Sequence, residues 1–336
     1  MTITMKINQI WEDLSRDKSQ EIGLLYRRYS GSILPDVYVA LQKPEGLLCI
    51  YLTIDSNIEI NTSTFSNLQE IKVDVFTSSS NTSKNIIIFK LLNRDHKDIF
   101  AILCEDLISK ISNESNEKKI IHEVLNRLEK WKSLFIKTKT DGLTPEEQRG
   151  LFGELYFLKM FLQSNIDYLY VLNSWVGTEK HIRDFQYGNW AVEVKTTHGN
   201  NHQKIQISNE RQLDTSNIQS LFLYHISLEL HQNSGDSLND LIEDIVIILS
   251  SNIIALNKFK YKLLEAGYFA SHKIYYDKNG FSVRKDTFYQ IKNEFPRIEE
   301  KDIRIGIGDV KYSIILSNCS EFIFGKDEVL QLINSN

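Results

Sequence analysis

The chain has 336 residues and a mass of 39.1 kDa, more than one hydrophobic core usually needs, which points to two packed units. Its 42% apolar and 25% charged composition, with 4 Pro and 15 Gly, excludes collagen-like, Pro-rich and wholly disordered chains. Thirty-nine basic against 44 acidic residues leave a net charge of −5, so no overall basicity advertises nucleic-acid binding.

The first residues carry Glu12 and Asp13 where a secretory signal would need an apolar core, and a soluble cytoplasmic chain is expected. Ile7, Ile10, Trp11 and Leu14 recur at helical spacing and predict an opening helix. Strand-like runs follow at Val37–Leu41, Leu47–Leu52, Ile71–Phe76 and Ile86–Leu92, with a Ser/Thr/Asn-rich loop over Thr77–Lys84. Asp95 is placed to cap a helix through His96–Ile111. The stripe Ile120, Ile121, Val124, Leu128, Trp131, Phe135 predicts a long amphipathic helix over Asn116–Thr140. The polar stretch Thr138–Gly142 then reads as a boundary between a domain over 1–140 and a second over 141–336. Cys49, Cys104 and Cys319 form no CxxC pair, so buried free thiols are expected rather than a disulfide framework or zinc site. The longest apolar stretch, Ile245–Leu256, is interrupted by Ser250, Ser251 and Asn252 and is too short to span a bilayer.

The second domain opens with a strong helix signal. Thr144 suits the N-cap, Pro145 the first helical position and Glu147 the closing position of a capping box. Two strands, His181–Gln186 and Trp190–Lys195, follow around Tyr187-Gly188-Asn189. Further strands are expected at Ile205–Ile207 and Leu221–Leu230, and helices at Asp236–Leu249 and Asn257–Ala266. Short strands around a helix at Asp286–Asn293 complete the tail.

The paired strands carry the chemistry. With Gly188-Asn189 as a two-residue turn, Tyr187 faces Trp190, Phe185 faces Val192 and Asp184 faces Glu193. Alternation then puts Asp184, Glu193 and Lys195 on one face, the two carboxylates ~5 Å apart at Cβ. Like charges directly opposite one another destabilise a sheet unless solvated or offset by a cation. A hard divalent cation such as Mg²⁺ or Mn²⁺ takes such oxygen donors, and the Val194 carbonyl is a further candidate ligand. Lys195 would aid a water nucleophile or neutralise charge on a phosphate. Glu154 lies at the edge of the apolar stripe Leu151, Leu155, Leu158, Leu162, where burial is costly without a partner. Gly150 and Gly153 beside it cost the helix about 1 kcal/mol each relative to Ala, a penalty that close approach to the sheet would explain.

A helix glutamate, then Asp184, then Glu193-Val194-Lys195 resembles the PD-(D/E)XK nuclease superfamily. GLFGELYFL (150–158), Trp175-Val176-Gly177, Asp184-Phe185 and AVEVKTT (191–197) are similar to a bacterial family known only by its membership of that superfamily. LLEAGY (263–268), Phe295-Pro296-Arg297-Ile298 and VKYSIILSNCSEF (310–322) extend the resemblance over most of the chain. Arg183 stands where the signature has proline. The resemblance implies an α/β (α+β) chain: a central mixed β-sheet flanked by helices with a restriction-endonuclease-like core, preceded by an N-terminal α+β domain. A C-terminal α/β extension would begin near 257. It also implies metal-dependent phosphodiester hydrolysis of DNA in restriction or phage defence, with RNA an open alternative and partner subunits or a homodimer as company. Asp184 and Glu193 would be metal ligands, Glu154 a further ligand, and Lys195 the group that orients water. Gln212 would match a helix glutamine placed near substrate.

Several residues carry two readings. Thr196 and Thr197 could hydrogen-bond phosphates or merely end a strand. Trp175 packs under the hairpin or stacks on a base, the first being favoured. His198 and His202 have the spacing of zinc ligands but lie in a Gly/Asn loop, where that spacing loses its geometric meaning. Lys258–Lys311 holds 12 basic against 8 acidic residues, with Tyr261, Tyr268, Tyr275 and Tyr276 interleaved, and offers either backbone contact or plain solubility. A non-catalytic DNA-binding or assembly subunit that keeps a nuclease-like fold is the alternative to an endonuclease.

Overall fold

The computed structural model describes residues 6–58, 70–79, 81–137, 142–164, 166–179, 181–199, 203–232 and 234–334. The chain divides into two compact units, Met1–Thr140 and Asp141–Asn336. Of the polar stretch Thr138–Gly142, residues 138–141 lie outside the described residues, as does His202.

In the first unit, α1 (Lys6–Arg16) buries the expected Ile7, Ile10, Trp11 and Leu14. The Trp11 indole N–H is shared between the carbonyls of Ala40 and Cys49, at 3.1 and 3.0 Å. Strands β1 (Gly23–Arg28), β2 (Val37–Lys43), β3 (Leu47–Asp55), β4 (Ile71–Thr77) and β5 (Lys84–Leu91) pair antiparallel in the order β1-β2-β3-β5-β4. Strand β1 was not legible because most of its side chains face water. Helices α2 (Lys97–Ile111) and α3 (Glu117–Lys137) complete the unit. Asp95 is not the cap: Asn93 accepts the Asp95 amide, and a single 3₁₀ turn, Arg94–His96, precedes α2. All three cysteines are free and buried.

The second unit begins with α4 (Pro145–Leu162), closed by the expected capping box between Thr144 and Glu147. Helix α5 (Tyr168–Ser174), capped by Asp167, leads to β6 (Phe185–Tyr187) and β7 (Trp190–His198). Next come β8 (Lys204–Ile207), β9 (Ser220–Gln232), β10 (Asp236–Ser237), α6 (Leu238–Leu249), α7 (Ile253–Glu265) and α8 (Lys273–Tyr276). The chain then forms β11 (Asn279–Gln290), β12 (Tyr312–Ile315), β13 (Ile323–Phe324) and α9 (Lys326–Asn334). The main sheet runs β10-β11-β9-β7-β6, with β13 added on β11. Strands β7 and β9 are parallel and the remaining pairs antiparallel, so this is a central mixed sheet with flanking helices. The helix expected at Asp286–Asn293 is instead the end of β11, where Phe288 stacks on Tyr224 with ring centroids 4.2 Å apart. Residues beyond 257 therefore supply a strand to the sheet itself.

Helix α4 packs on one face of this sheet through Phe157, which meets Phe185, Tyr224 and Phe288. The small β8–β12 sheet covers part of the other face, where Ala191, Leu221 and Leu223 join Ile205, Ile207 and Ile314 in one core. Strand β7 is thus covered on both sides, and any charge it carries inward must be compensated within the fold.

Candidate active site

The hairpin has the expected register: Phe185 pairs with Val192, Gln186 with Ala191 and Tyr187 with Trp190. Gly188 supplies the positive φ, 53°, that a tight turn demands at this point. Asp184 lies just outside the ladder, where β6 leaves β7, and its Oδ2 accepts the Val194 amide at 2.8 Å. A side-chain carboxylate thus replaces a backbone carbonyl as the partner of the strand at that point.

Glu193 is fully buried. Its Oε1 accepts from Lys195 Nζ at 2.5 Å and from Gln212 Nε2 at 2.6 Å, while its Oε2 has no hydrogen-bond partner. An orphaned buried carboxylate oxygen costs about 1–3 kcal/mol or more, so the fold holds it at a price that a ligand would remove. Burial first and the Asp184 carboxylate second push the Glu193 carboxyl up to about 8. Burial also raises Asp184, against the opposing pull of Lys195 and the Val194 amide. For Lys195, burial alone would lower the ammonium, but Glu193, Asp184 and Glu154 outweigh it and raise it. Three acids against one amine leave this cluster short of positive charge.

Glu154 reaches the cluster from α4. The next residue back, Gly153, lies so close to β7 that a Cβ there would fall 2.3 Å from Thr196 Cγ2 and 3.4 Å from Val194 Cγ1. Gly153 therefore permits the close approach of helix to strand. Gly150 has nothing within 4 Å of such an atom and does not share that role. Glu154 Oε2 accepts the Trp175 indole N–H at 2.7 Å. Burial, and then Asp184, hold the Glu154 carboxyl well above the ordinary carboxylate range. Trp175 is wholly buried and stacks on Phe185, which is the core role and not a base-stacking one.

The remaining candidates separate. Gln212 touches Glu193, and its own Oε1 accepts the Ser208 amide at 2.9 Å, so both ends of the side chain are used within the protein. Thr196 turns toward α4 rather than toward Glu193. Thr197 is buried and shares a hydrogen bond with His225 Nε2 at 2.8 Å. His225 is the register partner of Lys195 on β9 and escaped sequence reasoning; a polar residue inside the apolar run of a central strand was its only signal. Arg183, standing in place of proline, donates from Nε to the Gln212 carbonyl at 3.1 Å. Its Nη2 donates to the carbonyls of Arg211 and Asp214, at 3.3 and 2.5 Å. It fixes the 3₁₀ turn Glu210–Leu213 that presents Gln212. His198 is exposed at the end of β7. In the Lys258–Lys311 stretch, Tyr261, Tyr268 and Tyr276 are buried in the core, while Tyr275 is half exposed.

Among the described residues no three His, Cys, Asp or Glu groups close on a point as a ready metal cage. The donors nevertheless suit a hard divalent cation, which binds through one or two carboxylates and keeps several waters. The orphan Glu193 Oε2, the Asp184 carboxylate and the local excess of negative charge all fit that group. Among the described residues no helix is long and apolar enough to cross a membrane.

No curated protein and no solved structure matches the chain. The sequence profile of one family does, over residues 7–317, with Glu154, Asp184, Glu193 and Lys195 all inside the match. The chain belongs to that family, whose description reads "Putative PD-(D/E)XK family member, (DUF4420)".

Proposed function

We propose that the protein is a metal-dependent endonuclease acting on DNA, in restriction or defence against phage. The observation that carries this reading is the fully buried Glu193 with one partnerless oxygen, set beside Asp184 and bridged to Lys195. Asp184 and Glu193 would hold Mg²⁺ or Mn²⁺, with Glu154 and the Val194 carbonyl as further donors. A divalent cation in such a site supplies Lewis acidity and lowers the pKa of a bound water.

The chain's own residues do the rest. Lys195 keeps its charge in this acidic surrounding, so it can donate to a phosphate oxygen and offset the charge that grows there during attack. Gln212 holds Glu193 Oε1 from the side, which leaves Oε2 as the free donor. Asp184 is fixed by the Val194 amide on Oδ2 and offers Oδ1. Buried carboxyls that resist ionisation alone are set to ionise when a cation arrives.

Incubation of supercoiled plasmid with the protein and Mg²⁺ or Mn²⁺ tests this. Nicking or linearisation that falls at least 100-fold in Asp184→Ala and Lys195→Ala supports it, a size typical of losing one electrostatic group from a site. Metal-dependent nicking at full rate in both variants would remove these residues from the reaction. Cleavage of RNA alone would reassign the substrate, and DNA binding without metal uptake would favour a non-catalytic subunit.

A further inference from the structure

Glu154 and Asp184 are 30 residues apart, one on a helix and one at the root of a hairpin, yet both are tied to one run of three residues, Glu154 through Trp175 and Asp184 through Val176 and Gly177. We infer that Trp175-Val176-Gly177 is a positioning device, which locks the helix carboxylate and the hairpin carboxylate to one another for a shared cation. The inference rests on the nuclease reading of the site and adds to it a role for residues that touch neither metal nor substrate.

The attachments come from every side. Trp175 Nε1 donates to Glu154 Oε2 at 2.7 Å, which fixes the carboxylate's rotation and leaves Oε1 for a ligand. The Trp175 backbone bridges to Phe185, the residue after Asp184, and its ring stacks on the Phe185 ring at 6.3 Å between centroids. The amides of Val176 and Gly177 both donate to the Asp184 carbonyl, at 2.9 and 2.8 Å. Gly177 is required there: a Cβ would fall 2.9 Å from Asp184 Cα and 3.1 Å from Asp184 Oδ1. From α7, the buried Lys262 donates to the Trp175 carbonyl and reaches Glu179 at 3.1 Å. A tryptophan needed only for bulk would use its ring alone; here the indole N–H is spent on a carboxylate. Partners of this kind orient metal ligands, and their loss typically costs about 10–100-fold in metal affinity.

The test is Mn²⁺ titration of the full chain by calorimetry without nucleic acid, on wild type, Trp175→Phe, Glu154→Gln and the double variant. Phenylalanine keeps an aromatic ring and loses the donor. The expected result is a loss of about tenfold in Mn²⁺ affinity for Trp175→Phe, and no further loss when it is added to Glu154→Gln, because the tryptophan acts through that carboxylate. Wild-type affinity in Trp175→Phe, or an equal loss in both backgrounds, overturns the inference while leaving the site reading intact. No Mn²⁺ uptake by wild type removes the site reading and this inference together. Should Trp175→Phe fail to fold, Gly177→Ala takes its place: it should weaken Mn²⁺ about tenfold in wild type and not at all in Asp184→Asn, and an equal loss in both would overturn the inference.

Discussion

Gln212 Nε2 lies 2.6 Å from Glu193 Oε1, and the carbonyl of the same glutamine accepts from Arg183 Nε at 3.1 Å. The residue that replaces the signature proline therefore supports, through one turn of chain, the amide that steadies a proposed ligand. Arg183→Lys keeps the charge but loses the planar fork that spans three carbonyls. Plasmid cleavage should fall about tenfold in Arg183→Lys and in Gln212→Met alike. The double variant should be little worse than either, since both act on one contact. Independent, additive losses would disconnect the two residues.

Glu193→Gln separates chemistry from stability. The amide removes a buried ionisable group that Lys195, Gln212 and, from further off, Arg183 offset, and it keeps the volume. Metal-dependent cleavage should drop at least 100-fold, while the metal-free melting temperature at pH 8 stays level or rises. A large fall in melting temperature would show that the carboxylate stabilises the fold.

Acidity and metal should be linked. The Glu193 carboxyl rises from its ordinary 4.5 to about 8, so between those values the folded chain holds a proton that the unfolded chain has released. Metal-free stability therefore declines as pH rises through that window. Glu154 and Asp184 shift in the same direction and add to the decline. Lys195 starts to lose its contribution only above the window, because its own shift is upward from 10.5. Mg²⁺ or Mn²⁺ favours the ionised carboxylates, so the metal-induced rise in melting temperature should grow from acid to neutral pH. Thermal melts in chelator and in Mn²⁺ across the window check this; a metal effect that does not change with pH would break the link.

Gly153 and Thr196 form a testable steric pair. Gly153→Ala should destabilise by about 1–3 kcal/mol, as overpacking in a tight core does, because the new methyl falls 2.3 Å from Thr196 Cγ2. Adding Thr196→Ser removes that methyl and should restore most of the loss. Denaturant unfolding of the single and double variants measures it, and no rescue would mean that the close approach is set by other atoms.

How much of this was legible depended on whether the information was local. The capping box of α4 and the hairpin register are each written within a few residues, and both appear as read. The Asp184–Glu193 pairing expected from that register falls one step beyond the paired residues, where Asp184 instead takes the Val194 amide. A helix is expected over residues 286–293, whereas Thr287, Phe288 and Tyr289 are strand formers that pair with β9. The Trp175–Glu154 bond could not be read at all, since it joins residues 21 apart through the folding of two helices. Of the four tyrosines interleaved after 258, three are buried and Tyr275 is half exposed, a division that composition cannot give because it records residue type and not the side on which the core lies.

The Val194 amide has an unusual partner, for its proton points at a carboxylate that can change charge. That makes one backbone nucleus a built-in gauge: its nitrogen-15 resonance and its solvent exchange should report the ionisation and occupancy of Asp184 directly. Strand β7, covered on both faces, thus carries its own voltmeter, readable in a protein with no dye, substrate or cleavage product in the tube.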